Sequence, residues 1–299
     1  MPTSSRSVAT RSDVQAVITL DELTRPFGFE FFRNGLLVAT VAGALCGLIG
    51  VYVVLRSMSY IGHGLSHAIF GGFAVSALAG VNVFLGAGLW GLASALAVSS
   101  VTRRRPIGSD AAIGVITTAS FAFGLAVLQL GGGADVDADA ALFGNVLGVT
   151  RGDVWIVSGV TLFAIAVIVL RYRSLLFVTF DPEVAEASGV RVARIDALLM
   201  LVLAASILAT MNVMGVTLIA AALVVPAVVA RMVTSSFSTM LWLSTLIGAV
   251  SGFVGMNLSY HLDVASGPTI VLVGGSFFLC AWAVTGVRGR TRLAGVQAH

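Results

Sequence analysis

The sequence predicts an all-α, polytopic membrane protein with eight or nine transmembrane helices, and three observations support this. Of 299 residues, 58% are hydrophobic and only 10% are charged, whereas soluble domains carry about 25% charged residues. Mean hydropathy is +1.01 over the whole length, which leaves no room for a second, water-soluble domain of ordinary size. Apolar runs also recur along the chain at close to the ~20 residues that a helix needs to cross the hydrocarbon core.

Taken in order, residues 1–32 form a polar N-terminal arm, residues 33–287 the transmembrane part, and residues 288–299 a basic cytoplasmic tail. The arm, polar and mixed in charge from Ser4 to Arg25, lacks the apolar core of a signal peptide. Nine segments are candidates for spans: about 34–55, 58–79, 83–101, 110–130, 153–170, 195–212, 214–232, 239–260 and 268–286. The second is polar around Gly62–Ser66, so a broken or re-entrant helix is an alternative there. Pro226 interrupts the seventh, where loss of one backbone donor favours a kink.

Arginine orients these segments. Arg56, Arg103–Arg105, Arg171, Arg173, Arg191, Arg194, Arg231, Arg288, Arg290 and Arg292 follow segments one, three, five, seven and nine. The intervening loops hold only Arg151. Basic residues stay on the cytoplasmic side, so the C-terminus lies inside and the loop with Asp135, Asp137 and Asp139 outside. Nine spans would then put Arg25 and Arg33 at the outer face, which keeps eight spans in play. The same distribution explains the pI near 9.3 without nucleic acid as a partner.

All seventeen basic residues are arginine. Without a lysine the chain cannot be an ordinary P-loop ATPase, so ATP-driven transport would need another chain to hydrolyse the ATP. Cys46 and Cys280 sit inside apolar runs and read as small hydrophobes. Gly43-x-x-x-Gly47 and Gly248-x-x-x-Gly252 line up small residues for close helix packing. A homodimer packed through such glycine-rich spans is expected, with Gly248 and Gly252 as candidates for the contact.

The fourteen acidic residues avoid the middles of the spans; Asp110, Asp153 and Asp196 lie at segment ends. His63 and His67, in contrast, fall within the second segment, four apart and on one helical face. Neutral imidazoles at that spacing can grip a transition-metal ion. Histidines bonded to neighbouring backbone are the plainer alternative. A His-Glu-x-x-His protease is excluded, because Gly64 stands where the general base would be. The stretch from Phe180 to Val190 reads as a short cytoplasmic helix over 181–189. Asp181 caps it, Pro182 suits its first turn, Glu183 complements its dipole, and Gly189 ends it. It is either a connecting helix or a docking element for a cytoplasmic partner.

Three stretches carry a family resemblance. They are Gly62-His63-Gly64-Leu65-Ser66-His67-Ala68; Phe180-Asp181-Pro182-Glu183 with Gly189-Val190; and Gly215-Val216 through Pro226-Ala227 and Arg231 to Leu258–Asp263 and Ser266-Gly267. With them the chain, from about residue 33 to 286, resembles the membrane subunits of bacterial ABC importers for zinc, manganese and iron. The resemblance implies a second copy of the chain, two cytoplasmic ATP-binding subunits and an extracytoplasmic metal-binding protein. It makes 181–189 the coupling helix, with Asp181, Pro182, Glu183, Ala185, Glu186 and Gly189 toward the ATPase. It also makes His63 and His67 the metal pair. His67 matches the family's histidine, whereas His63 replaces its usual aspartate and Gly71 a usual proline. Two imidazoles favour zinc over manganese and bind only when neutral, so acid should empty the site. No permanent cofactor is expected; the metal is cargo. A passive metal channel in the bilayer is the competing reading, which the coupling helix disfavours.

Overall fold

The computed structural model describes residues 25–102, 109–131, 142–144 and 148–296, and among them every long element is an α-helix. A 3-10 turn at Arg25–Gly28 leads into α1 (Glu30–Leu55). Then come α2 (Ser59–Leu78), α3 (Val83–Thr102), α4 (Ser109–Leu130), α5 (Arg151–Phe180), the short α6 (Pro182–Ala187), α7 (Val192–Met214), α8 (Ile219–Val233), α9 (Phe237–Leu262) and α10 (Ser266–Val296).

Each of the nine apolar segments is thus one helix. Six of them are both long and apolar enough to cross a membrane unaided; α2, α3 and α8 are the more polar or shorter ones. The polar start of α2 does not break it. Its 20 residues form one continuous helix of ~30 Å, so the broken-helix alternative falls. Ser66 removes the local reason for a break, since its Oγ donates to the His63 carbonyl at 2.7 Å. The Pro226 turn likewise stays within one helix, α8. The fifth segment runs ten residues further than expected, to Phe180, and delivers the chain directly into α6. The last helix continues past residue 287 to Val296.

α1 and α7 are the most buried helices and form the centre of the bundle. Phe32, Leu45, Ile49, Tyr52, Leu203, Ile207 and Met211 fill it with almost no exposure. Trp155, Leu162, Leu170, Trp242, Leu246, Leu272 and Trp282 point outward, an arrangement that a lipid surround permits.

The glycine-rich spans pack on one another inside a single chain. Gly43 of α1 faces Gly248 of α9, Gly47 faces Ser244, and Gly252 faces Ala39, so the two helices run antiparallel. A Cβ on Gly43 or Gly248 would overlap the other's carbonyl oxygen. Ser244 Oγ seals the contact by donating to the Gly47 carbonyl at 2.6 Å. Gly248 and Gly252 therefore do not face another copy, and the expected dimer contact through them is corrected. At this crossing the chain's own backbone needs the space.

Side chains at the two ends set the direction of the helices. Arg56, which follows α1, pairs with Asp196 at the start of α7. At the opposite end Glu30 accepts from Arg151 Nε at 2.7 Å. The start of α1 therefore shares an end of the bundle with Arg151, as nine alternating helices require. α2 and α4 run parallel, because Gly64 meets Ile113 and Thr117 while Gly71 meets Ser120. α2 packs chiefly on α3 and α4, and barely on α1, the helix it follows.

Candidate metal site and coupling helix

His63 and His67 lie together in the first half of α2. Their Nε2 atoms are 3.2 Å apart and their rings stand nearly perpendicular, at 89°. Two imidazole nitrogens bound to one tetrahedral ion at ~2.05 Å would be about 3.3 Å apart, so the pair can take an ion with little movement. Without a metal, one Nε2 carries the hydrogen that the other accepts. An incoming cation must displace that hydrogen.

The surroundings hold His67 and leave His63 open. His67 is half-buried, edge-on to Phe121 of α4 at 4.6 Å, whereas His63 is exposed. The His67 Nδ1 is buried without a hydrogen-bond partner. A metal-bound histidine usually gives that nitrogen's hydrogen to an oxygen, and an ion bound here would lack that support. Among the described residues no third His, Cys, Asp or Glu joins the pair. Two protein ligands leave the remaining coordination positions to water or another molecule, which suits a conduit better than a closed four-ligand cage.

Two glycines next to the pair let α4 approach. A Cβ on Gly64 would come within 2.8 Å of the Thr117 methyl and 2.9 Å of the Ile113 methyl. The position where a protease would carry its general base is thus occupied by packing. At Gly71 a Cβ would meet the Ser120 carbonyl oxygen and Oγ at 2.6 Å. Ser120 Oγ in turn accepts from Trp90 Nε1 at 2.7 Å and donates to the Ala68 carbonyl at 3.1 Å. Gly71 is where α2, α3 and α4 pack together.

The short helix after α5 forms as its residues predict. The Asp181 N–H ends α5 on the Phe177 carbonyl at 2.9 Å, and its Oδ1 caps α6 by accepting from Val184 N at 3.0 Å. Pro182 opens the helix, and Gly189 reverses the chain at φ +85°. One assignment changes. Ala185 is fully buried in its own chain, so it cannot contact a partner; every other residue from Asp181 to Gly189 is exposed. The helix turns on to α7 directly after Gly189, and Val190 N closes on the Ala185 carbonyl at 3.0 Å, so Ala185 faces inward.

The third sequence stretch has structural roles at the far end. Gly215, at φ +74°, packs on the backbone of Phe143 and Gly144. Thr217 Oγ1 donates to the Leu142 carbonyl at 2.6 Å, and Ser266 Oγ to the Val213 carbonyl at 2.8 Å. Ser259 Oγ donates to the Val264 carbonyl at 2.6 Å around Asp263, whose φ is +52°. The Arg56–Asp196 ion pair was not foreseen. Its only signal in the sequence is two opposite charges at the ends of segments one and six.

A bundle of apolar helices long enough to cross a membrane, with a two-histidine face and an exposed, capped short helix, has the form of a multi-pass membrane permease, and the family match places it in the ABC importer class. Residues 28–285 match the ABC 3 transport family, and the chain belongs to that family. It is similar to the manganese transport system membrane protein MntC of Halalkalibacterium halodurans, at 37% identity over 85% of this chain and 87% of that one. It is also similar to a probable iron transport system membrane protein of Haemophilus influenzae, at 33% identity over 90% and 99%. Among solved structures, PsaBC from Streptococcus pneumoniae in complex with Fab aligns with a TM-score of 0.80 and 33% identity, covering 88% of this chain and 95% of that one. As a permease subunit of this family, the chain is a plasma-membrane protein and not an enzyme; ATP hydrolysis belongs to a separate subunit.

Proposed function

We propose that this chain carries divalent first-row transition metals into the cell by ATP-driven alternating access, with His63 and His67 holding the ion in transit. The observation that carries the reading is the pair of Nε2 atoms 3.2 Å apart on one face of α2. The acidic side chains of the described helices all lie at helix ends, so this pair is the site equipped to coordinate a metal within the bundle. Two copies of the chain form the pathway, and one ATP-binding subunit docks on each α6. An extracytoplasmic protein delivers the ion, and no cofactor stays bound.

The choice of metal follows from ligand chemistry. Nitrogen and oxygen sites bind zinc more tightly than manganese, and imidazole in place of carboxylate widens the gap. The relatives named above are named for manganese and iron. The reading is therefore that zinc competes for the pair with the higher affinity, and that His63 tilts the site away from manganese. In uptake assays with zinc and manganese in competition, His63→Asp is expected to shift preference toward manganese. An unchanged ratio would contradict the ligand argument.

Docking is tested on the face of α6 that is exposed. Val184→Arg is expected to lose the ATP-binding subunit on co-purification while the membrane part unfolds at the parent temperature. Full retention of the ATPase together with normal uptake would overturn the assignment. Ala185→Arg is expected to destabilise the chain itself, because it forces a charge into a buried site.

A further inference from the structure

The geometry points to the Arg56–Asp196 ion pair as the positioning element that passes movement of the coupling helix to the helix bearing the histidines. This rests on the function proposed above and adds the link between its two ends. Asp196 lies in the second turn of α7, which follows α6 after a four-residue turn, so displacement of α6 moves Asp196. Arg56 lies in the three-residue corner between α1 and α2. Ser57 in that corner holds a left-handed backbone at φ +55°, which a non-glycine residue seldom adopts. Met58 N closes the corner on the Val53 carbonyl at 2.8 Å.

The packing makes this corner a pivot. α2 hardly touches α1 and packs chiefly on α3 and α4, with α3 also resting on α7, while α1 is clamped to α9 by backbone contact. The ion pair ties the base of α2 to α7 across that pivot. It also bonds through one guanidinium nitrogen only. Arg56 Nη2 meets Asp196, while Nη1 is buried with no partner. Carboxylate–guanidinium pairs are frequently bidentate, with both nitrogens engaged. A spare buried donor fits a pair that is re-formed with a second geometry when α7 shifts.

The test uses the complete transporter, with its ATP-binding subunits, in proteoliposomes. ATP hydrolysis and uptake of radioactive manganese are measured together. Asp196→Asn is expected to keep the ATPase bound and hydrolysing while manganese taken up per ATP falls at least tenfold. The reversed pair, Arg56→Asp with Asp196→Arg, is expected to recover part of that ratio. A ratio within twofold of the parent in Asp196→Asn would overturn the inference. So would an equal loss of thermal stability and assembly with no recovery in the reversed pair, which would mark a brace. Uptake by the parent, and its loss in His67→Ala, reports separately on the proposed function.

Discussion

Replacing His67 with alanine is expected to lower manganese and zinc uptake at least about tenfold, the scale of loss when even an outer-shell partner of a metal ligand is removed. His67 supplies one of the two nitrogens of the pair, and its ring is fixed against Phe121. The half-buried ring also packs, so the variant must be shown to reach the membrane and bind its ATPase. His67→Gln, which keeps bulk and a polar tip but is a poor ligand, should fall nearly as far. Uptake at the parent level in both variants would place the site elsewhere. Acid should act in the same direction, because each imidazole must shed its proton to bind metal. Loss of uptake on acidification should therefore track loss of metal from the transporter.

The second large effect falls on stability. Gly248→Leu is expected to cost about 3 kcal/mol or more, at the upper end of overpacking penalties, because its side chain would enter the backbone of α1. The obstacle is the Gly43 carbonyl, which no side-chain rotation can move. Gly159→Leu on α5 is the matched control, with nothing within 4 Å of its added carbon. Unfolding in one detergent should separate the two variants clearly. Near-equal stability would mean that α1 and α9 are not in backbone contact.

Much of this architecture was legible in the sequence. Each apolar run became a helix, and Arg56 lies at the opposite end of the bundle from Arg151 as the alternation of arginines requires, although Arg33 at the start of α1 shares the Arg151 end. The length of α5 was not legible, because Arg171 and Arg173 mark the end of a hydrophobic run and not the end of a helix. In the same way, composition could not tell which neighbour a small-residue stripe would meet. Gly248 and Gly252 pack inside the chain because α9 lies against α1, a pairing far apart in sequence.

The site divides similarly. The spacing of His63 and His67 foretold a shared face, and Asp181, Pro182 and Gly189 foretold the capped helix. The inward turn of Ala185 was hidden, since a six-residue helix has no periodicity long enough to reveal its buried side. The Arg56–Asp196 pair was hidden for another reason: 140 residues separate partners that meet only once α1 and α7 pack.

The most direct test of the central claim is X-ray absorption at the zinc edge on the assembled transporter loaded with zinc. Two imidazole nitrogens in the first coordination shell, falling to one or none in His67→Ala, are the predicted result. A spectrum without imidazole ligation in the parent, or one that His67→Ala leaves unchanged, would contradict the claim that this pair holds the metal in transit.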